Sequence, residues 1–502
     1  MSEVTTTSFV RQDLLTERPA PVKTTGFVGL VRTRLLNSPT NILLTILGGL
    51  LLWFTIAPAV KFLLVDAVWT GTDRTACIGP NAAGACWPYI QAKLPQLIYG
   101  FYPAAERWRV NLTFVLAAAL LVPLLIPRLP AKGVNAGLFF FAVPVVAFFL
   151  LHGGGIKGFG VSWTAGLLQL FSDSITNAGQ VLLNLSKSSA LAPLLWVIGN
   201  LIVLIGTAMY WLIFPLILLR DLVQAAGQPV WVDFVITAVI VSLIVVAFSG
   251  LRTGWRPLVA TVATFIGIAA VIKLMGLDQG GLPVVATNLW GGLLVTLVVS
   301  VTGIVTSLPI GIALALGRRS TIPLIRIFSI AFIEFWRGVP LITVLFFATY
   351  MLPLFLPGNF TVDGLVRALI GISLFIGAYQ AENVRGGLAA IPRGQSEAAG
   401  ALGLSWWKTT SLIVLPQALR HVIPNLVNSF IALFKDTSLV SIVALFDLLG
   451  SLRASFADPK WSTPTTLFTG FAFTGIIYFL FCFGMSRYSL FVEKRLNAHR
   501  RN

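Results

Sequence analysis

Apolar runs of about 20 residues, the length an α-helix needs to cross the hydrocarbon core of a bilayer, recur along almost the whole chain. In residues 1–155 they fall near 42–64, 110–127 and 136–152. In 156–280 they fall near 191–219, 232–250 and 257–275. A weaker stretch, 160–183, is interrupted by Asp173, Asn177 and Gln180 and followed by Asn184. In 281–502 five runs follow, near 289–316, 340–357, 364–390, 425–449 and 465–486, with a long polar loop, 391–423, between the third and fourth. The pattern predicts an all-α, polytopic transmembrane protein.

Charge between the runs orients them. Basic loops favour the cytoplasmic side. Arg11, Arg18, Lys23, Arg32 and Arg34 before the first run put the N-terminus inside, and no small-residue cleavage pattern follows a short apolar region, so the first span is expected to be retained. Segment 66–109 then lies outside and Arg128 and Lys132 inside. Arg318, Arg319 and Arg326 also belong inside, which requires an even number of crossings in 156–280. Four crossings there give about twelve in all, with ten as the alternative. The C-terminus, with Arg487, Lys494, Arg495, Arg500 and Arg501, is expected inside; the outer loop 450–463, carrying Arg453 and Lys460, runs against the bias.

Composition narrows the chemistry. The chain has 502 residues, 57% hydrophobic and 11% charged, which excludes an ordinary soluble enzyme, a disordered chain and a coiled coil. Its net charge of +17 is accounted for by cytoplasmic loops rather than by nucleic acid. His152, His421 and His499 are far apart and no C-x-x-C pair occurs, so no metal site is expected. Cys77 and Cys86, nine residues apart in the first outer loop, are candidates for a disulfide in an oxidising compartment, the alternative being two free thiols; Cys482 reads as a packed small side chain.

The loop 391–423 carries the most specific signal. It reads Glu397-Ala398-Ala399, three residues, Gly403, nine residues, then Ile413-Val414-Leu415-Pro416. Glu397 to Ala401 favour a short helix, Gly403 permits a sharp turn into a second one, and the small residues allow close approach to another protein. The spacing resembles, at every named position, the E-A-A-x3-G-x9-I-x-L-P signature of ABC importer permeases. Glu334-Phe335-Trp336-Arg337-Gly338-Val339-Pro340-Leu341, Ala378 to Gly387, Gly394 to Glu397, Leu415 to Arg420 and Lys435-Asp436-Thr437-Ser438-Leu439 are similar to the polar amino-acid (histidine/glutamine-type) branch. Leu289-Trp290-Gly291-Gly292-Leu293 resembles the start of the core in the M-type subunit of the general L-amino-acid permease. The resemblance covers about 283–495 and, less closely, the outer loop ending Glu106-Arg107-Trp108-Arg109; it does not extend over 156–280.

The resemblance implies a five-helix type I permease core in 281–502 of a bacterial inner-membrane importer for polar or general L-amino acids. It implies two ATP-binding subunits, a second and distinct permease subunit, and a periplasmic amino-acid-binding protein. Glu397, Ala398, Ala399, Gly403, Ile413, Leu415 and Pro416 would then couple the ATPase to the membrane helices. No G-x-x-x-x-G-K-[ST] stretch occurs in the chain, so ATP and Mg are expected on the partner ATPase, with no cofactor and no catalysis here.

Five residues are candidates for the substrate pathway. Glu382, with Gln380 and Arg385 nearby, lies in the third core run, where an ionised group costs about 2.5–3.5 kcal/mol unless it meets a cavity or a partner. Glu382 either takes a substrate ammonium or pairs with Arg385 three residues on. Lys435 and Asp436 are placed near the middle of the fourth core run, pointing to different faces. Glu334 and Arg337, also three apart, read as a structural ion pair or a subunit contact. An ion-gradient-driven secondary transporter would need inverted repeats, which are not seen, and leaves the loop signature unexplained. A membrane-embedded enzyme would need a concentrated set of reactive groups, which three scattered histidines do not supply.

Overall fold

The computed structural model describes residues 29–31, 35–79, 83–126, 129–130, 132–188, 191–249, 255–355 and 362–497. Arg11, Arg18, Lys23, Arg32, Arg34, Arg128, Arg500 and Arg501, on which much of the orientation argument rests, lie outside the described residues. The described residues are almost entirely helical, and ten helices are long and apolar enough to cross a membrane, or eleven if one bent pair counts as a span.

The described residues divide into two compact units, one within 1–92 and 458–472, the other within 93–457 and 473–502. In the first, α1 (Pro39–Val60) is capped by Ser38, whose hydroxyl accepts from the Asn41 N–H. Cys77 and Cys86 are joined in a disulfide. The Cys86 N–H donates to Thr469 Oγ1 (2.9 Å), and Trp69 stacks on Trp87. Cys482, in the other unit, is free and partly buried.

The second unit contains α2 (Trp87–Tyr99, shared with the first), α3 (Arg107–Leu125), α4 (Lys132–Gly137), α5 (Val143–His152), α6 (Gly160–Ser186), α7 (Ala192–Ala225), α8 (Pro229–Ser249) and α9 (Arg256–Leu274). The permease-like part follows as α10 (Gly292–Arg318), α11 (Pro323–Gly338), α12 (Leu341–Phe346), α13 (Leu352–Phe355), α14 (Gly364–Ala389), α15 (Arg393–Ala401), α16 (Trp406–Lys408), α17 (Leu415–Asp436), α18 (Leu448–Ser455) and α19 (Thr466–Asn497). Its core packs α10 on α14, with Leu294, Val295, Val299, Ile372 and Leu433 buried together. Glycines let the backbones close up: a Cβ on Gly311 would meet the Ala381 backbone nitrogen at 2.9 Å, and one on Gly387 the Ala418 carbonyl at 2.6 Å.

Two segments differ from the reading by apolar runs. α11 is a helix of its own, meeting the α12–α13 segment at 104°. It was hidden because it is amphipathic, with Arg326, Glu334 and Arg337 interrupting any apolar run. α17 begins at Leu415, with Pro416 in its first turn, rather than near 425. Lys435 and Asp436 are therefore not mid-span; they are the last two residues of α17, where the chain tightens into a 3-10 segment, Thr437–Val443.

The stretch 156–280 is built around an antiparallel hairpin. Along α6 the buried small residues Ala165, Ser172, Gly179 and Ser186 recur every seven positions, and along α7 Gly199, Gly206 and Ile213 do the same. A strict seven-residue repeat gives a left-handed crossing. Ser172 Oγ donates to the Gly206 carbonyl (2.9 Å) and Arg220 Nη1 to Gln169 Oε1 (2.6 Å), so the two helices stay paired over most of α6. The N-terminus of α6 is capped by a residue of another helix. Asp233 of α8, fully buried, accepts from the backbone N–H groups of Phe159 (2.6 Å), Val161 (3.0 Å) and Ser162 (3.1 Å). At the same end the Gly154 N–H donates to the Leu282 carbonyl and the Ile156 N–H to that of Leu277.

That end is fastened by main-chain contacts. Gly100 bridges to Trp290, and Gly291 and Gly292 bridge to Phe446 and Asp447. Arg109 is fully buried, with Nη2 2.6 Å from Glu106 and Nη1 donating to the Pro283 carbonyl.

Candidate functional site

The loop after α14 folds as a short helix, a reversal and a second helical limb. α15 ends in a left-handed turn: Gly403 has φ +73°, the Leu404 N–H donates to the Ala399 carbonyl (3.1 Å), and the Gly403 N–H to that of Gly400 (2.9 Å). This satisfies carbonyls that the end of a helix leaves open, and glycine adopts that φ without strain. Ala399 is buried where α15 packs on the π-turn Thr409–Val414, and Gln417 Nε2 reaches across to Gln395 Oε1 (3.3 Å). Glu397 and Ala398 point outward, as do Leu402, Trp407 and Leu412, at 80%, 70% and 69% exposure.

The far limb is anchored in the helices. Val414 is buried with Ala315 of α10, Val384 and Leu388 of α14 and Ala418 of α17, and Leu415 packs against that cluster. Ile413 is half-buried, its carbonyl accepting from Gln417 Nε2 (2.9 Å), while Pro416 is exposed. The seven signature residues thus share one structure with an outward face and a buried root on two long helices.

Immediately beside this root lies an ion cluster drawn from three helices. Glu382 of α14 accepts from Arg318 Nη1 of α10 (2.8 Å) through Oε1 and from Arg385 Nε (2.9 Å) through Oε2. Arg337 of α11 stands 3.9 Å from Oε2, and Glu334 accepts from Arg318 (3.2 Å). Both oxygens of Glu382 are engaged by guanidinium groups, and Arg337 also lies over the Tyr379 ring. Glu334 and Arg337 belong to the same cluster, at 4.0 Å.

Gln380 is fully buried, its Oε1 accepting from Asn383 Nδ2, while Asn383 Nδ2 also reaches Ser429 Oγ of α17 (both 3.0 Å). Gln380 Nε2 has no partner among the described residues. Polar residues on α17 give a further surface. His421, Asn425, Asn428, Ala432 and Lys435 are all exposed at spacings of four, three, four and three, forming one stripe on the side away from the core. Asp436 is half-buried and off this stripe. Arg318, Asn383, His421, Asn425 and Asn428 were not singled out as site residues by the sequence. The α17 stripe was open to a heptad count, whereas the Arg318–Glu382 contact joins positions 64 residues apart.

The family described as "Binding-protein-dependent transport system inner membrane component" is matched over residues 307–498. The chain is similar to the inner membrane amino-acid ABC transporter permease protein YhdY of Escherichia coli K12, 35% identical and covering 96% of each chain. It is similar to the glutamate/glutamine/aspartate/asparagine transport system permease protein BztC of Rhodobacter capsulatus, 38% identical and covering 99% of each. The glutamate/aspartate import permease protein GltK of Escherichia coli O6:H1 is 34% identical, covering 91% of its own length but 41% of this chain. The matches to the first two are too long to leave out 156–280, so that stretch is shared with these longer relatives.

Proposed function

Since the chain belongs to the binding-protein-dependent inner-membrane transport components, among the amino-acid ABC transporter permeases, we propose that its cytoplasmic loop couples ATP hydrolysis on a partner to uptake of polar L-amino acids. The observation that carries this reading is the loop 391–423, whose exposed face is free for a partner while its root is packed on α10 and α14. Of two ATP-binding subunits, holding ATP and Mg, one docks on Glu397, Ala398 and the exposed Leu402 and Trp407 of this chain. A periplasmic binding protein delivers the amino acid at the opposite end, and both termini are cytoplasmic. A second, distinct permease subunit completes the pathway.

Mechanically, closure of the ATPase pair moves α15, and the buried Val414 root transmits the displacement to the ends of α10 and α14. Those ends hold Arg318, Glu382 and Arg385, so the ion cluster locks α10, α11 and α14 together at the cytoplasmic side and the displacement passes to them as one body. Because both Glu382 oxygens are already engaged, Glu382 acts as a lock rather than as the receptor for the substrate ammonium. The α17 stripe lines the pathway, with Lys435 offered to the α-carboxylate and Asn425 and Asn428 to polar side chains.

The test is ATP hydrolysis by the complex reconstituted with its ATPase, partner permease and binding protein, with and without amino acids. Hydrolysis should rise with amino acid, and Gly403→Asp should assemble but lose the stimulation. Failure to bind any ATPase, or solute movement driven by an ion gradient alone, would overturn the reading.

A further inference from the structure

The hairpin α6–α7 presents a polar stripe to what must be the interior of the membrane. α7 is a membrane span by length and composition. α6 runs beside it in the opposite direction, with contacts near one end between Gln169 and Arg220 and further along between Gly179 and Gly199. α6 has 27 residues, about 40 Å of helix, which exceeds the hydrocarbon thickness. It therefore crosses alongside α7 although its composition keeps it out of the apolar set.

The reason for its low hydropathy is one face. Asp173, Asn177, Gln180 and Asn184 recur at spacings of four, three and four, and all four are exposed. Asp173 has thirteen helix residues on either side, which puts a carboxylate at the midpoint of the span. Asp173, Asn177 and Gln180 make no hydrogen bond or ion pair among the described residues, and Asn184 meets only Lys187. The seam toward α7 lies on another side of the helix, through Ser172 and Gly179. An ionised group at that depth needs a partner or a polar cavity.

We propose that this stripe is the docking face for a transmembrane helix of a different polypeptide that carries a lysine, arginine or histidine at mid-bilayer depth. Three observations select that occupant. Lipid chains offer Asp173 no hydrogen-bond donor. A second copy of this chain, related by an axis along the membrane normal, would bring Asp173 against Asp173 at the same depth, two like charges. Within the chain, no Lys, Arg or His among the described residues forms an ion pair or hydrogen bond with Asp173, and Arg220 of α7 is already committed to Gln169 and Asp221. The complement to Asp173 has to come from outside, and the amides one and two turns further along set its register by hydrogen bonding.

The test uses the full chain in its native membrane with a photo-crosslinking p-benzoylphenylalanine at Gln180, followed by mass spectrometry of the adduct. The expected adduct is a transmembrane segment of another polypeptide with a basic residue within about one turn of the depth of Asp173. Asp173→Lys should lower adduct yield about tenfold, and reversing the charge of the identified basic residue should restore it. Should Asp173→Lys fail to insert, Asp173→Asn keeps the shape and should still lower the yield several-fold. Adducts confined to lipid, to a second copy of the chain or to this chain's own helices would overturn the proposal. So would a partner segment without a basic residue, or a yield indifferent to both Asp173 variants.

Discussion

Replacing Asp233 with alanine should release the N-terminus of α6, and the size of the effect follows from what the carboxylate does. It is fully buried and accepts three backbone N–H groups of the 159–162 turn, together with the Thr237 hydroxyl at 3.2 Å. A hydrogen bond to a charged group contributes about 1.5–3 kcal/mol, and orphaning buried donors adds their desolvation cost. The three are not additive, because water enters the vacated space and the loop relaxes, so about 3–5 kcal/mol is expected. The loss should be local, since the cap holds one helix end. Hydrogen exchange at the Val161 and Ser162 amides in nanodisc-embedded protein reads it directly. A loss of about 3 kcal/mol corresponds to roughly a hundred-fold faster exchange. Asp233→Asn keeps one acceptor oxygen and should show a much smaller acceleration. Exchange in Asp233→Ala within about threefold of the parent would refute the reasoning, as would equal effects of the two variants.

Other expectations can be checked alongside. Gly403→Ala, in open space but at φ +73°, should cost about 1–2 kcal/mol of turn stability and reduce amino-acid-stimulated ATP hydrolysis, while Gly403→Asn, which tolerates that conformation, should retain more of it. Glu382→Gln leaves Arg385 without a carboxylate and Arg318 with Glu334 alone; thermal stability in detergent should fall by about 1.5–3 kcal/mol and ATP hydrolysis should become less dependent on amino acid. Under denaturing conditions a maleimide mass tag should label one cysteine, Cys482, without reductant and three with it, because Cys77 and Cys86 are bonded. Hydrogen bonds from Lys273 and Trp231 hold the Asp278 carboxyl below its ordinary range. The contact therefore stabilises the fold above that range and is lost only as pH falls through the depressed value. Trp231 emission, isolated by difference with Trp231→Phe, should stay constant through mild acid and change below the usual carboxylate range.

The spans were legible where apolar residues run unbroken, because hydrocarbon thickness imposes a length that composition alone reveals. Elements with one polar face were not. α11 hides behind Arg326, Glu334 and Arg337, and the first half of α17 behind Gln417, Arg420, His421 and Asn425, since a run-based reading averages over both faces of a helix. The turn at Gly403 was readable because its requirement is local to a few residues. The Arg318–Glu382 contact and the Asp233 cap were not, because each joins residues more than 60 positions apart, and nothing in either segment alone states which distant helix will face it.

The α6–α7 hairpin also constrains how the chain is made. With Asp173 at its centre, α6 does not partition into lipid on its own merits, whereas α7, 34 residues long and apolar over most of its length, does so readily. Few residues separate them, and their small-residue seams match at seven-residue intervals. During synthesis the translocation channel therefore has to retain α6 until α7 emerges and the two can leave as a preassembled pair. A truncation ending before Ala192 should leave α6 unintegrated, so membrane integration of this stretch is set by the order of synthesis as well as by composition.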